Sequence, residues 1–203
     1  MGDAGIHRRK PTRLRGYDYS HPGAYFVTVC TASRAFPFGN VIDGKMQLNN
    51  AGRVVLSAWT ELPAHYAGLE LDAFVVMPNH IHGIIVLHTA ADKGAMVGAG
   101  SPRPLSVAES TVDEPGVVTA PLRVSFGRVV AYFKYESTKR INALHGTPGK
   151  RLWQRNYHEH VIRRGDSLDR IRRYIAGNPA RWSFDRENPH AVHPEPADGW
   201  ANA

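Results

Sequence analysis

Cysteine occurs once in the 203 residues, as Cys30, which excludes an internal disulfide and any metal or iron–sulfur site built from several thiolates. A metal held by this chain would have to sit on imidazole, carboxylate or amide side chains. No run approaches the roughly 18 to 20 apolar residues of a membrane span, and the opening MGDAGIHRRKPTRLRG lacks the apolar middle of a secretory signal. A soluble, cytoplasmic protein without a membrane partner is therefore expected. There is no internal repeat, and no glycine-rich phosphate loop of the P-loop or dinucleotide-binding pattern. Acid is the minority charge, with 18 Asp plus Glu against 25 Lys plus Arg, a formal net charge of +7.

The excess of base points to a polyanion, because Lys and Arg at phosphates release condensed counterions. Its distribution is uneven. Arg8, Arg9, Lys10, Arg13 and Arg15 precede the first expected strand, and Arg163, Arg164, Arg170, Arg172 and Arg173 fall late in the chain. A solvated basic surface is the plain alternative for either cluster. With 42% apolar residues the chain can bury a core, and its length suits one domain with tails or a long insertion.

Alternation in Ala24–Cys30 predicts a first strand. Val54, Val55, Ala58, Trp59 and Leu62 at helical spacing predict an amphipathic helix over Asn50–Tyr66. Leu71–Val76 and Ile81–Leu87 read as a hairpin through Met77-Pro78-Asn79. Residues 88–120, rich in Ala, Gly, Pro, Ser and Val, read as a mobile insertion. A helix over Leu122–Ala143 follows, with Phe126, Val129, Val130, Phe133 and Ile141 on one face and Arg128, Tyr132, Tyr135 and Lys139 on the other. Tyr157–Arg163 predicts a fourth strand, and Asp166 is expected to cap a helix reaching Gly177. Beyond Pro179 an irregular, Pro-rich tail is expected. The order strand, helix, strand, strand, helix, strand is that of an α+β, ferredoxin-like split βαβ domain. It has a four-stranded antiparallel sheet, helices on one face, the other face available and one extra C-terminal helix. One domain over 1–182 and a tail over 183–203 are expected.

His80-Ile81-His82 is the most informative triplet, because residues i and i+2 of a strand face the same way. Two imidazoles so placed can ligate a divalent metal, although His158-Glu159-His160 has the same spacing. On the last helix Tyr174 and Asn178 stand at i and i+4. The amide oxygen suits a hard ion, and the phenol suits attack on a phosphorus whose oxygens the ion neutralises. The plain alternative is that Tyr174 borders the core and Asn178 simply ends the helix before Pro179.

Five blocks now combine: Arg13-Leu14 with Tyr17-Asp18-Tyr19, Gly23-Ala24-Tyr25-Phe26-Val27-Thr28, Met77-Pro78-Asn79-His80-Ile81-His82-Gly83, Trp153-Gln154-Arg155-Asn156-Tyr157, and Tyr174-Ile175-Ala176-Gly177-Asn178-Pro179. In this order, over residues 8–182, the chain resembles the REP-associated tyrosine transposases of the single-tyrosine HUH class. The resemblance implies a metal-dependent single-strand DNA endonuclease and strand transferase acting at hairpin-forming palindromic repeats through a 5′-phosphotyrosine. It implies Tyr174 as nucleophile, with Tyr132 or Tyr135 as substitutes, and His80, His82 and Asn178 as ligands of Mg²⁺ or Mn²⁺. Lys10, Arg13, Arg15, Tyr17, Tyr19, Arg128 and Lys139 are the expected contacts to single-stranded or hairpin DNA, for a monomer or homodimer. The alternatives are a replication or conjugation nickase of the same class, a histidine-triad nucleotide hydrolase, which would need a third motif histidine where Ile84 stands, and a non-catalytic hairpin-binding protein.

Overall fold

The structure, a computed structural model, describes residues 17–33, 35–88, 124–163 and 165–191. Four strands form one antiparallel sheet: β1 (Gly23–Cys30), β4 (Leu69–Val76), β5 (His80–Leu87) and β6 (His158–Ile162), in the order β4-β5-β1-β6. With α1 (Asn50–Thr60) before β4 and α3 (Phe126–His145) before β6, this is the expected split βαβ topology. Among the described residues no helix is long and apolar enough to cross a membrane.

Alternate residues of β1 part the core in two. Tyr25, Val27 and Val29, with Ile81 and Ile85 of β5, pack beneath α1 and α3 through Val55, Trp59, Val129 and Phe133. Phe26, Ile84 and Ile162 point the other way. That second face, expected to stay available, is partly covered by α4 (Gly165–Gly177), whose Leu168, Ile171 and Ile175 pack on it. The apolar stripe on α4 has nowhere else to be buried.

Several elements depart from expectation. A second hairpin, β2 (Gly39–Ile42) with β3 (Lys45–Leu48), precedes α1. Its two-residue turn, Asp43-Gly44, has both residues at positive φ (50° and 70°), the geometry that matches strand twist. The helix expected to reach Tyr66 ends at Thr60 and restarts as the short α2 (Leu62–His65), with Pro63 in its first turn. Asn49, whose side chain accepts from Gly52 N–H at 2.9 Å, caps α1. The helix expected from Leu122 is seen from Phe126, residues before 124 lying outside those described. Helix α4 opens at Gly165, so Asp166 falls inside its first turn. The chain after Asn178, expected to be irregular, forms a 3-10 helix over Pro179–Phe184 and then buries Asp185 and Asn188.

Candidate metal centre

Thr28, His82 and His158 stand opposite one another across β5, β1 and β6, so all three point to the α4 face. His80 faces the same way at the end of β5. His80 and His82 are buried, and the residues after α4 close over them. Trp182 lies 6.1 Å from the His80 ring between centroids, and Asn79 Nδ2 donates to the Glu187 carbonyl at 2.7 Å. Here the Asp185 carboxylate arrives: its Oδ2 is 3.5 Å from His80 Nε2. One ligand atom each from His80, His82 and Asp185 lies within 4.8 Å of the others.

Hydrogen bonds orient the donors. The Asn79 amide is fixed by its bond to Glu187, so its Oδ1 faces His80 Nδ1 at 2.9 Å and must accept from it. His80 Nε2 therefore presents a lone pair. His82 Nδ1 is 2.8 Å from Thr28 Oγ1, and the two Nε2 atoms are 3.1 Å apart. Without a cation, that last contact is a hydrogen bond in which His82 Nε2–H donates to His80 while Thr28 donates to His82 Nδ1. The hydroxyl can also accept from Nδ1–H, and in that tautomer both Nε2 lone pairs converge with Asp185.

Burial holds both imidazoles neutral: it pushes His80 down to about 4 and His82 well below the usual histidine value. Burial also lifts Asp185, to about 6, against the lowering effect of the Glu187 backbone, Arg186, Arg181 and an Asn178 side-chain hydrogen bond. Two neutral nitrogens and a carboxylate form the donor set of a divalent-metal site. Asn178 Oδ1 and Asp185 Oδ2 are both buried without a hydrogen-bond partner, a costly state that a coordinated cation relieves. The residues present thus fit a metal, with His80, His82 and Asp185 as the group that could hold it; Asn178 lies just past the end of α4, its amide oxygen buried.

Tyr174 is half-buried on α4 with its ring 5.3 Å from that of His82, edge on, and the Arg181 guanidinium 5.3 Å from its centre. Arg172, two residues earlier, anchors the helix by a two-pronged bond to Asp72, at 2.9 and 2.6 Å. Tyr132 and Tyr135 lie on α3, across the sheet from the histidines; Tyr132 Oη is 2.9 Å from His65 Nε2. His158 and His160 share the histidine-facing surface but stand on β6, with β1 between them and β5.

The expected DNA contacts scatter. Lys10, Arg13 and Arg15 lie outside the described residues, as does the insertion beyond His88. Tyr17 and Tyr19 pack on the core, Tyr19 stacking 6.3 Å from Phe126 and Tyr17 lying 4.9 Å from Tyr19. Arg128 and Lys139 are exposed along α3. Sequence reasoning missed Asp185 altogether. Its local signal was a pair of turn-forming residues, Asp185 and Asn188, whose side chains accept from Glu187 N–H at 2.7 Å and His190 N–H at 3.0 Å.

No protein-family model matches the chain. An uncharacterized protein of Haemophilus influenzae is 34% identical over 185 residues, spanning 91% of this chain and 95% of that protein. A solved structure of a REP-associated tyrosine transposase bound to a REP hairpin is similar at a TM-score of 0.53 and 19% identity, over 86% of this chain and 76% of that one. The second likeness is one of fold.

Proposed function

The chain belongs to the same family as the Haemophilus influenzae protein, and for this member we propose a metal-dependent single-strand DNA endonuclease and strand transferase with Tyr174 as nucleophile. The observation that carries the reading is the juxtaposition of Tyr174 with His82, 5.3 Å between ring centres, beside the converging donors of His80, His82 and Asp185. The fold shared with a transposase bound to a REP hairpin supports hairpin DNA as the substrate class.

A phosphodiester resists nucleophiles because its oxygens are negative. Mg²⁺ or Mn²⁺, when bound, supplies charge neutralisation at those oxygens. Tyr174 forms the new bond to phosphorus, the 3′-oxygen leaves, and a 5′-phosphotyrosine remains. Because the phosphoester bond is conserved, a second 3′-hydroxyl can reverse the step and join strands without a nucleotide cofactor. The Arg181 guanidinium stands over the Tyr174 ring, 5.3 Å from its centre, and adds positive charge beside the nucleophile. Tyr132 and Tyr135, on the opposite face of the sheet, are poorly placed for the role.

Covalent trapping tests the reading. Incubated with a single-stranded hairpin oligonucleotide and Mn²⁺, the chain is expected to give a protein–DNA adduct stable to denaturant, absent from Tyr174→Phe and retained by Tyr132→Phe and Tyr135→Phe. An adduct that survives Tyr174→Phe moves the nucleophile elsewhere, and no adduct under any condition leaves the non-catalytic DNA-binding alternative.

A further inference from the structure

A cleft of about 670 Å³ lies between the C-terminal half of α3 and the loop of residues 146–155, within the range of roughly 300 to 1,000 Å³ common for small-ligand sites. Its walls are held apart by bonds that do not depend on an occupant. Lys134 Nζ donates to the carbonyls of Gln154 and Arg155 at 2.7 and 2.9 Å. Asn142 Nδ2 donates to the Lys150 carbonyl at 2.9 Å, and Trp153 Nε1 to Ser137 Oγ at 2.9 Å. The cleft is therefore preformed.

Its chemistry is two-sided. Leu152, Trp153 and Ala143 give apolar lining, and at its lip stands Tyr135, a large aromatic that is 62% exposed. Lys139 lies 5.9 Å from the Tyr135 ring centre, with Glu136 3.9 Å from its ammonium. Lys134, Lys139, Arg151 and Arg155 all line the cleft, and among the described residues no carboxylate does. A flat apolar surface rimmed by cations suits a ligand with a planar face and attached anions.

Placement narrows the choice. Trp153 pairs with Thr31, and Gln154 N–H donates to the Cys30 carbonyl at 2.9 Å. Cys30 in turn stands opposite His80 in the register of β1 and β5. The loop that walls the cleft is thus stitched to the end of the sheet where the metal centre lies, with the two sites on opposite faces. We propose that this cleft takes an unpaired nucleobase of the DNA strand held at the metal centre, the base lying against Tyr135 and the flanking phosphates meeting Lys139 and Arg151. The proposal rests on the DNA-processing reading above.

The test uses the full chain and a fluorescein-labelled 20-mer of single-stranded oligothymidylate, followed by anisotropy. Tyr135→Ala is expected to raise Kd roughly 5- to 150-fold, the usual loss of one stacked base, while Tyr135→Phe, which keeps the ring, stays within about twofold. Arg151→Gln is expected to flatten the dependence of log K on log salt by about 0.7, one single-strand phosphate. An oligonucleotide carrying 5-iododeoxyuridine is expected to cross-link to Tyr135 or Trp153. If the unaltered chain binds the 20-mer and Tyr135→Ala and Arg151→Gln bind it equally well, the cleft assignment fails and the DNA reading stands. If the unaltered chain binds no single-stranded DNA, both fail. If Tyr135→Ala changes the sedimentation coefficient but not the affinity for DNA, the cleft is a protein contact and the proposal is overturned.

Discussion

The Nε2 atoms of His80 and His82 lie 3.1 Å apart, with Asp185 Oδ2 3.5 Å from the first of them. Three electron-rich atoms in a dry pocket are held together by a shared proton or by a cation, and the cation satisfies all of them at once. A divalent ion should therefore stabilise the fold. At a Mn²⁺ concentration 100 times its dissociation constant the gain is about 2.7 kcal/mol, or a rise in Tm of about 5 to 10 °C for a chain of this size. His80→Ala and His82→Ala should abolish the shift in a thermal melt, and His158→Ala should keep most of it. Equal loss in the His158 variant would mean that the ion sits on β6.

Thr28 touches no donor atom of the metal centre, yet its hydroxyl, 2.8 Å from His82 Nδ1, orients the ring and can accept from Nδ1–H in the tautomer that leaves Nε2 free for a cation. Thr28→Val preserves shape and removes the partner. Metal affinity should fall about 10- to 100-fold, as is usual when such an orienting bond is lost, and Thr28→Ser should restore it. Calorimetric titration with Mn²⁺ measures both, and an unchanged affinity in Thr28→Val would show that the histidine needs no help from β1.

The histidine pair was legible because a strand fixes i and i+2 on one face; Tyr174 and Asn178 were picked out by the corresponding i and i+4 rule of a helix, although α4 ends at Gly177, one residue before Asn178. Both are local rules. Asp185 belongs to no periodic element, and it reaches His80 only because the chain reverses after Pro179 and packs back on β5, a tertiary event with no sequence period. The β2–β3 hairpin is a different case: Val41-Ile42-Asp43-Gly44-Lys45-Met46 carries the Asp-Gly turn signal, but its strands are four residues each, too short for alternation to stand out. The filling of the second sheet face followed from the stripe on α4, once that stripe is treated as surface that must be buried.

Gly83, between His82 and Ile84 on β5, is required by close packing. A Cβ there would lie 2.4 Å from Trp59 Cζ2, and Trp59 is stacked on Phe74 with ring centres 4.4 Å apart. Gly83→Ala should destabilise the fold by about 1 to 3 kcal/mol through overpacking, read as a lower midpoint in urea. Adding Trp59→Phe, which removes the clashing ring, should recover part of that loss. If the double variant is only the sum of its parts, the indole is not what excludes the side chain.

Helix α4 is fastened to β4 at one ion pair. Asp72 sits where the β4–β5 register shifts, between Leu71 and Phe74, and Arg172 donates to both of its oxygens, holding the carboxyl below its usual pKa range. A carboxylate with a lowered folded-state pKa adds stability that is fully present above its unfolded value, about 3.9, and is lost as the pH falls through the folded value. Arg172 stays charged throughout. Because Arg172 is 45% exposed, the contribution at neutral pH should be about 0.5 to 1 kcal/mol. Arg172→Ala should therefore be less stable than the unaltered chain at pH 7, with the gap closing as the pH drops below about 3.9. Denaturant midpoints at pH 7, 5, 4 and 3 measure the gap. A gap that stays constant to pH 3 would show that Arg172 acts by packing its stem rather than by charge. Since Tyr174 is two residues from this anchor, the same variant should also slow adduct formation at pH 7 while leaving Mn²⁺ affinity unchanged.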